Sequence, residues 1–394
     1  MNDKILAKAV QDYIHLNLNA DVAQIALAKS PFVGVSSAEL AAQILAKKKS
    51  QKKLPTWFNT SNIYYPPPLS IEQTSSETTA KYKSRIAKGN SLIDLTGGFG
   101  VDAYYFAKKV EQIVHCEINV ELSEISKHNA EVLQIDNIDF LPLDGIKYIE
   151  SGSENFDTIY IDPARRAETG KVFMLRDCTP DVVSHLDKLL SKSARIIIKT
   201  APLLDITAGL LELKYVSEIH IVSLKNECKE LLWVIDKDFD GTVKIVAVTL
   251  NQTEKHFSFL QSELNDEVHF AVQISKSNYL YEPDAALLKS GAFNLIGKKY
   301  NLQKLHPYTQ LYISDELNTD FAGRIFRIDQ VLSTGELKKA SELSGNIIVR
   351  NYPAKPEDLA KKYKVKPDKD RFLIFTKDIN GNNIVLKTTI VQYY

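Results

Sequence analysis

Cysteine is scarce in this chain: three in 394 residues, Cys116, Cys178 and Cys228, far apart and without C-x-x-C spacing. That excludes a disulfide framework and a cysteine zinc site, and it fits a reducing compartment, the cytoplasm. Net charge is lacking too. Forty-nine Lys and Arg offset 49 Asp and Glu, so a polyanion would have to be met by local patches. No apolar run approaches the roughly 20 residues that span a bilayer. The opening MNDKILAKAVQDYIHLNLN reads as an amphipathic helix interrupted by charges, so no signal peptide is expected. His115 and His128 lack the neighbours that a metal site or a catalytic triad would need.

What is present is enough apolar content, 44%, to give two or three domains a core each. Residues 1–85 read as a helical domain, with Ile5, Ala9, Tyr13 and Leu16, then Val22, Ile25 and Ala26, then Leu40, Ile44 and Leu45 at helical spacing. Pro66-Pro67-Pro68 forces an extended connector. Residues 86–240 alternate strand and helix. Strands are expected at Ser91–Leu95, Gln112–Glu117, Ile138–Leu141, Thr158–Asp162, Ala194–Lys199, Ser217–Val222 and Leu231–Asp236, with helices at Val120–Leu133, Thr179–Leu190 and Leu203–Leu213. This predicts an α/β fold, a doubly wound parallel sheet. Ser223 to Glu230 is too short for a crossover, so the last strand should be antiparallel. Residues 241–321 and 322–394 read as two small α+β domains. Their expected elements are strands Val243–Leu250 and Glu267–Ile274, a capped helix Tyr281–Lys299, strands Ile325–Ile328, Ile347–Asn351, Phe372–Lys377 and Ile384–Lys387, and a basic helix Pro356–Tyr363.

The chemistry concentrates in SLIDLTGGFGVD, Ser91 to Asp102. A strand ending in Asp94 and running into Thr96-Gly97-Gly98-Phe99-Gly100 brings bare backbone to the carboxyl edge of the sheet, where open α/β sheets bind ligands. The glycines alone fit a dinucleotide as well. Asp94 decides against it, because a pyrophosphate would meet an uncompensated carboxylate whereas a sulfonium with a free amine would be attracted. S-adenosyl-L-methionine (SAM) is favoured over NAD. Acids end or follow four strands, at Asp94, Glu117, Asp144 and Asp162. Glu117 suits the ribose hydroxyls and Asp144 the adenine amine, though each could also cap the helix that follows it.

Asp162-Pro163-Ala164-Arg165-Arg166 follows the fourth strand. Methylation of an exocyclic amine needs two acceptors that free its lone pair and aim it. Asp162 and the Pro163 carbonyl suit that task, and the pattern resembles the D-P-P-Y type motif of amino-group methyltransferases. Ala164 and Arg165 replace the second proline and the aromatic, so stacking on a base would fall to the Arg165 guanidinium or to another residue. Arg165 or Arg166 could instead hold a phosphate. Lys199-Thr200-Ala201-Pro202 borders the same crevice, where Lys199 meets substrate or stays solvated. Ser75-Ser76-Glu77 would either close over the methionine end of SAM or cap a helix. Asn129 reads as a packing or capping residue.

DLTGGFGVD, EQTSSETTAKYK, IDPARR, IKTAPLLDI, NECKELLWV, EPDAALLKSGAFN and RNYPAKPEDLAKKYK together resemble the bacterial class I SAM-dependent methyltransferases with a THUMP-like C-terminal domain, a Bacteroidetes-type family. The resemblance implies a small ferredoxin-like domain before that tail. It also implies an RNA partner, tRNA or rRNA, and a likeness of the central domain to guanine-N2 methyltransferases. The tail offers Lys361, Lys362, Lys364, Lys366, Lys369 and Arg371 to phosphates. The open alternatives are a protein or small-molecule amine as acceptor, and a non-catalytic RNA-binding protein that retains SAM. No metal and no membrane are expected.

Overall fold

The protein's structure, a computed structural model, describes residues 1–165, 174–265, 267–339 and 343–394, with the side chains of Arg165, Asn265 and Lys339 outside it. The chain folds as two compact units, residues 1–216 with 233–240, and residues 217–232 with 241–394. Among the described residues no helix is long and apolar enough to cross a membrane.

The first unit begins with helices α1 (Lys8–Leu16), α2 (Val22–Leu27), α3 (Ser37–Lys53), α4 (Pro55–Asn59), α5 (Pro68–Gln73) and α6 (Glu77–Ser84). A capping box starts α3: Ser36 Oγ accepts the Glu39 amide while Glu39 Oε2 accepts that of Ser36. The apolar phase expected at the start of the chain is shifted. A separate turn, Asp3–Leu6, ends in extended backbone at Ala7, so α1 buries Val10 and Ile14 and leaves Leu16 81% exposed.

A parallel sheet follows, with β1 (Ser91–Asp94), β2 (Gln112–Cys116), β3 (Ile138–Leu141), β4 (Phe156–Ile161) and β7 (Ser193–Thr200) in the order β3-β2-β1-β4-β7. The short strands β5 (Ala164–Arg165) and β6 (Cys178–Thr179) pair with each other antiparallel. Helices α7 (Val101–Ala107), α8 (Val120–Val132), α9 (Gly145–Ser151), α10 (Val182–Lys192) and α11 (Ile206–Glu212) connect the strands. Asn119, Asp144, Asp181 and Asp205 cap the last four through their side chains.

Strands β8 (Val216–Leu224) and β9 (Glu227–Asp236) are joined by Lys225 and Asn226, both left-handed at φ 54° and 59°. A two-residue turn of that kind matches strand twist and makes the pair the expected antiparallel hairpin. The end of β9, Trp233–Asp236, lies in the first unit and borders β7. In the second unit β10 (Lys244–Leu250) runs parallel to β8, and β11 (Glu254–Leu260) pairs antiparallel with β10.

A second sheet holds β12 (Tyr279–Pro283), β13 (Gln303–His306), β14 (Thr309–Ser314), β15 (Gly323–Ser333), β16 (Asn346–Val349), β17 (Arg371–Lys377) and β18 (Asn383–Gln392) in the order β13-β14-β12-β15-β18-β17-β16. Its helices are α12 (Ala285–Lys289), α13 (Phe293–Tyr300), α14 (Thr334–Lys339) and α15 (Pro356–Tyr363). Two expectations fail here. Tyr281–Lys299 is not one helix: Tyr279–Pro283 is a strand, Asp284 caps α12, and Gly291 at φ 72° separates α12 from α13. Glu267–Ile274 is not a strand either. Its ladder is limited to a bridge from Phe270 to Lys304, and Val272 is left 90% exposed.

Candidate active site

The ends of β1, β2 and β4 and the start of α9 surround a cavity of about 480 Å³ in the first unit, a volume suited to a cofactor-sized ligand. It is lined by Asp94, Thr96, Gly97, Gly98, Phe99, Glu117, Asp144 and Asp162 of the residues expected from sequence. Gly100, left-handed at φ 77°, is the residue from which α7 starts.

The glycine turn is shaped by steric need. A Cβ on Gly97 would lie 2.2 Å from Nε2 of His115, whose ring is fully buried beneath the turn. Burial pushes that imidazole down to about 4, so it stays neutral. Gly98 is left-handed at φ 56°, with no atom nearer than 3.9 Å to the place of its missing Cβ, so its backbone is bare toward the cavity. Gly97→Ala is therefore expected to destabilise the first unit by about 1–3 kcal/mol, the overpacking range. The check is a lower urea midpoint by tryptophan fluorescence, because both tryptophans, Trp57 and Trp233, are buried in that unit.

The acids differ sharply in environment. Asp94 is 1% exposed and accepts the Thr96 amide at 2.9 Å. Burial raises its carboxyl well above the ordinary value, and Asp102, Asp162 and Glu117 add to the rise. Glu117 accepts the amides of Gly98 (2.9 Å) and Asn119 (2.7 Å), leaving lone pairs for a further donor. Asp144 caps α9 through Oδ1, accepting the amides of Ile146 and Lys147 at 3.0 and 3.2 Å. Asp162 donates its backbone amide to Thr96 Oγ1 at 2.7 Å, which ties the end of β4 to the glycine turn, and its carboxylate pairs with Lys199.

These residues fit SAM. Three neighbouring carboxylates press Asp94 upward, an excess of negative charge that a cationic ligand offsets. Ile118, Leu122, Leu143 and Ile146 give an apolar wall beside Asp144 and Glu117, as a purine with a ribose requires.

Sequence reasoning missed a buried network around Asp102. Lys83, wholly buried, lies 3.1 Å from Asp102 Oδ1 and donates to Ser75 Oγ at 2.8 Å. Ser75 Oγ and the Tyr160 hydroxyl each donate to Asp102 Oδ2 at 2.8 Å. Burial acts to raise the Asp102 carboxyl, yet the Lys83 and Lys199 cations, with the two hydroxyls, hold it below its ordinary value. Ser75 therefore reaches the cavity wall, while Ser76 caps α6 and Glu77 binds Thr56 and Tyr105. Asn129 exchanges two 2.9 Å hydrogen bonds with the Tyr64 backbone and packs the helical segment against α8. The Phe99 ring is buried against Trp57, centroids 6.3 Å apart. Arg166 and the side chain of Arg165 lie outside the described residues. Among the described residues no His, Cys, Asp and Glu group could hold a metal.

A glycine turn after the first strand, acids at successive strand ends, and an antiparallel closing hairpin define a class I SAM-dependent methyltransferase. Across its whole length the chain matches a crystal structure of a protein from Porphyromonas gingivalis W83 described as a methyltransferase, at 30% identity, full coverage of both chains and a TM-score of 0.87. Residues 279–321 match a ferredoxin-like domain family and residues 323–388 a THUMP domain-like family. The chain belongs to the bacterial SAM-dependent methyltransferases that carry a THUMP-like C-terminal domain, and SAM is its cofactor. It is also 21% identical over 315 residues to an uncharacterized S-adenosylmethionine-dependent methyltransferase of Mycobacterium tuberculosis, covering 78% of this chain and 83% of the relative. A 79-residue stretch, 20% of this chain and 21% of the relative, is 34% identical to a 23S rRNA uracil-C5 methyltransferase of Vibrio vulnificus.

Proposed function

We propose that this protein methylates an exocyclic amine of an RNA base, with guanine N2 favoured. The observation that carries the reading is Asp162 on the cavity wall, at the end of β4 and tied to the glycine turn through Thr96. SAM when bound supplies an electrophilic methyl on a sulfonium. The work left to the chain is to present a nitrogen lone pair in line. A base amine is conjugated with its ring, and two acceptors on its N–H bonds, Asp162 and the Pro163 carbonyl, pyramidalise it and turn the lone pair out. The N–C bond would form as the methyl's S–C bond breaks, its electron pair staying on sulfur, and the cationic nitrogen would then release one N–H proton to water.

RNA as the substrate is supported by the THUMP-like segment, by relatives in Mycoplasma mobile and Clostridium tetani that are named RNA methyltransferases, and by exposed Lys361, Lys362, Lys364, Lys366, Lys369 and Arg371. Uracil-C5 chemistry, that of the Vibrio relative, is disfavoured. Carbon at that position needs a nucleophile added to the ring first, and the thiols are held in the protonated form. Cys116 lines the cavity, but burial leaves it no exposed surface and pushes its thiol up to about 12; Cys178 is buried, and burial pushes the Cys228 thiol up to about 12 as well. Three free cysteines fit a cytoplasmic setting.

The test is mass spectrometry of nucleosides from RNA of cells lacking the protein. Loss of one N-methylated nucleoside, restored by the purified protein with SAM, is the expected result. Unchanged RNA, with label from SAM entering protein extract instead, would overturn it.

A further inference from the structure

Lys199 has no place in the amine-methylation scheme above, yet it is built into the same site. Its ammonium pairs with the Asp162 carboxylate through Oδ2, and its side chain is 15% exposed against 34% for Asp162. It also contributes to holding the Asp102 carboxyl down. The strand that carries it is clamped at its end. Thr200 accepts a 3.0 Å hydrogen bond from Trp233 Nε1, the indole is wholly buried, and it fills the space over Gly209, where a Cβ would sit 2.3 Å from the ring. Lys199 is therefore anchored, one residue before a fixed point, and it is aimed at the acid that ends the neighbouring strand β4.

We infer that Lys199 is a positioning and specificity-determining residue for the acceptor: it fixes one oxygen of Asp162, leaves the other for an acceptor N–H, and neutralises the charge that would otherwise draw a protonated alkylamine. This rests on the amine-methylation reading and narrows it. An isolated carboxylate at the lip of a cavity that also holds Asp94, Asp102 and Glu117 would favour an ammonium group such as a lysine side chain. That species has no lone pair to methylate until it loses a proton. Paired with Lys199, Asp162 presents an acceptor without net charge, which suits the neutral amine of a nucleobase. The bidentate alternative, in which Asp162 grips the amine with both oxygens, is closed by the ammonium on Oδ2.

The experiment compares wild type, Lys199→Met and Lys199→Arg with SAM and two acceptors, the RNA substrate and a lysine-containing peptide, alongside calorimetry of S-adenosylhomocysteine binding. Lys199→Met is expected to lower kcat on RNA by about tenfold to a hundredfold, the range for losing one charge-assisted hydrogen bond. The KM for RNA and the S-adenosylhomocysteine affinity should stay within about threefold, because Lys199 is not among the residues that line the cavity. Lys199→Arg should recover most of the rate, and the ratio of RNA to peptide methylation should fall in Lys199→Met alone. An unchanged kcat and an unchanged acceptor ratio in Lys199→Met, with cofactor binding intact, would overturn the inference. If wild type methylates the peptide and not RNA, the proposed function fails with it; if wild type methylates RNA and Lys199→Met does so equally well, the function stands and this inference alone falls.

Discussion

Asp162→Ala should reduce methyl transfer to RNA by at least about 10²–10³-fold while leaving S-adenosylhomocysteine affinity within a few-fold. The magnitude is that of removing a preorganised group aimed at developing charge, about 3–4 kcal/mol of barrier. The split between rate and cofactor affinity follows from where Asp162 sits. Its backbone amide, which alanine keeps, holds the turn through Thr96, and on the proposed reading the acceptor is met by the side chain of this cavity-lining residue. Folding should survive, since the Asp162 side chain is 34% exposed and Lys199 keeps the Asp102 carboxylate as a neighbouring counter-charge. Asp162→Asn should fall between the two, because its oxygen still accepts one N–H while its amide can no longer balance the Lys199 charge. Single-turnover transfer and calorimetry together check this. A variant that transfers methyl at a third of the wild-type rate or better would remove Asp162 from the chemistry.

The part of the molecule legible in its sequence was the part set by local rules. The strands that lead to Asp94, Glu117 and Asp162 are short apolar runs flanked by turn residues, and they lie within a few residues of expectation. The hairpin of β8 and β9 was forced by the short span between two apolar runs. Helix α15 was bracketed by Pro356 and a change of pattern, and it matches in full. What could not be read depended on contacts distant in sequence. Lys83 lies on a polar helix, where a lysine reads as a solvated charge, and its burial arises because α6 packs against α7 and brings Asp102 to it. Tyr160 reads as a strand tyrosine. Only the parallel pairing of β1 with β4 places its hydroxyl on that same carboxylate. Lys199 could be placed at the crevice but not on Asp162, since that needs the register of β4 against β7. In the second unit, β13 and β14 were missed because their partners in the sheet make them strands, whereas β11 was missed although Phe257 and Phe259 alternate with exposed residues.

Lys83→Met should strongly destabilise the first unit. Lys83 has no exposed surface and Asp102 is 12% exposed, so the variant leaves a buried carboxylate without its ion-paired cation and with only the weaker influence of Lys199, a loss of about 3–5 kcal/mol. The urea midpoint by tryptophan fluorescence should fall accordingly. Adding Asp102→Asn should recover most of the loss, because asparagine removes the orphaned charge and its oxygen can still accept from Ser75 and Tyr160. The pH dependence separates this cause from lost packing. In the wild type the Asp102 carboxyl is held below its unfolded value of 3.8, so its contribution is present above that value and is lost as pH falls through the folded one. Without Lys83 the folded value rises, with Lys199, Tyr160 and Ser75 still holding it down, so the variant binds its proton earlier than wild type and gains stability relative to it as pH is lowered from 7 through the acid range. The gap between the two proteins should therefore narrow on acidification. A gap constant across that range would mean that Lys83 stabilises by its methylenes alone, and that Ser75, between α5 and α6, is held at the cavity wall by packing and not by charge.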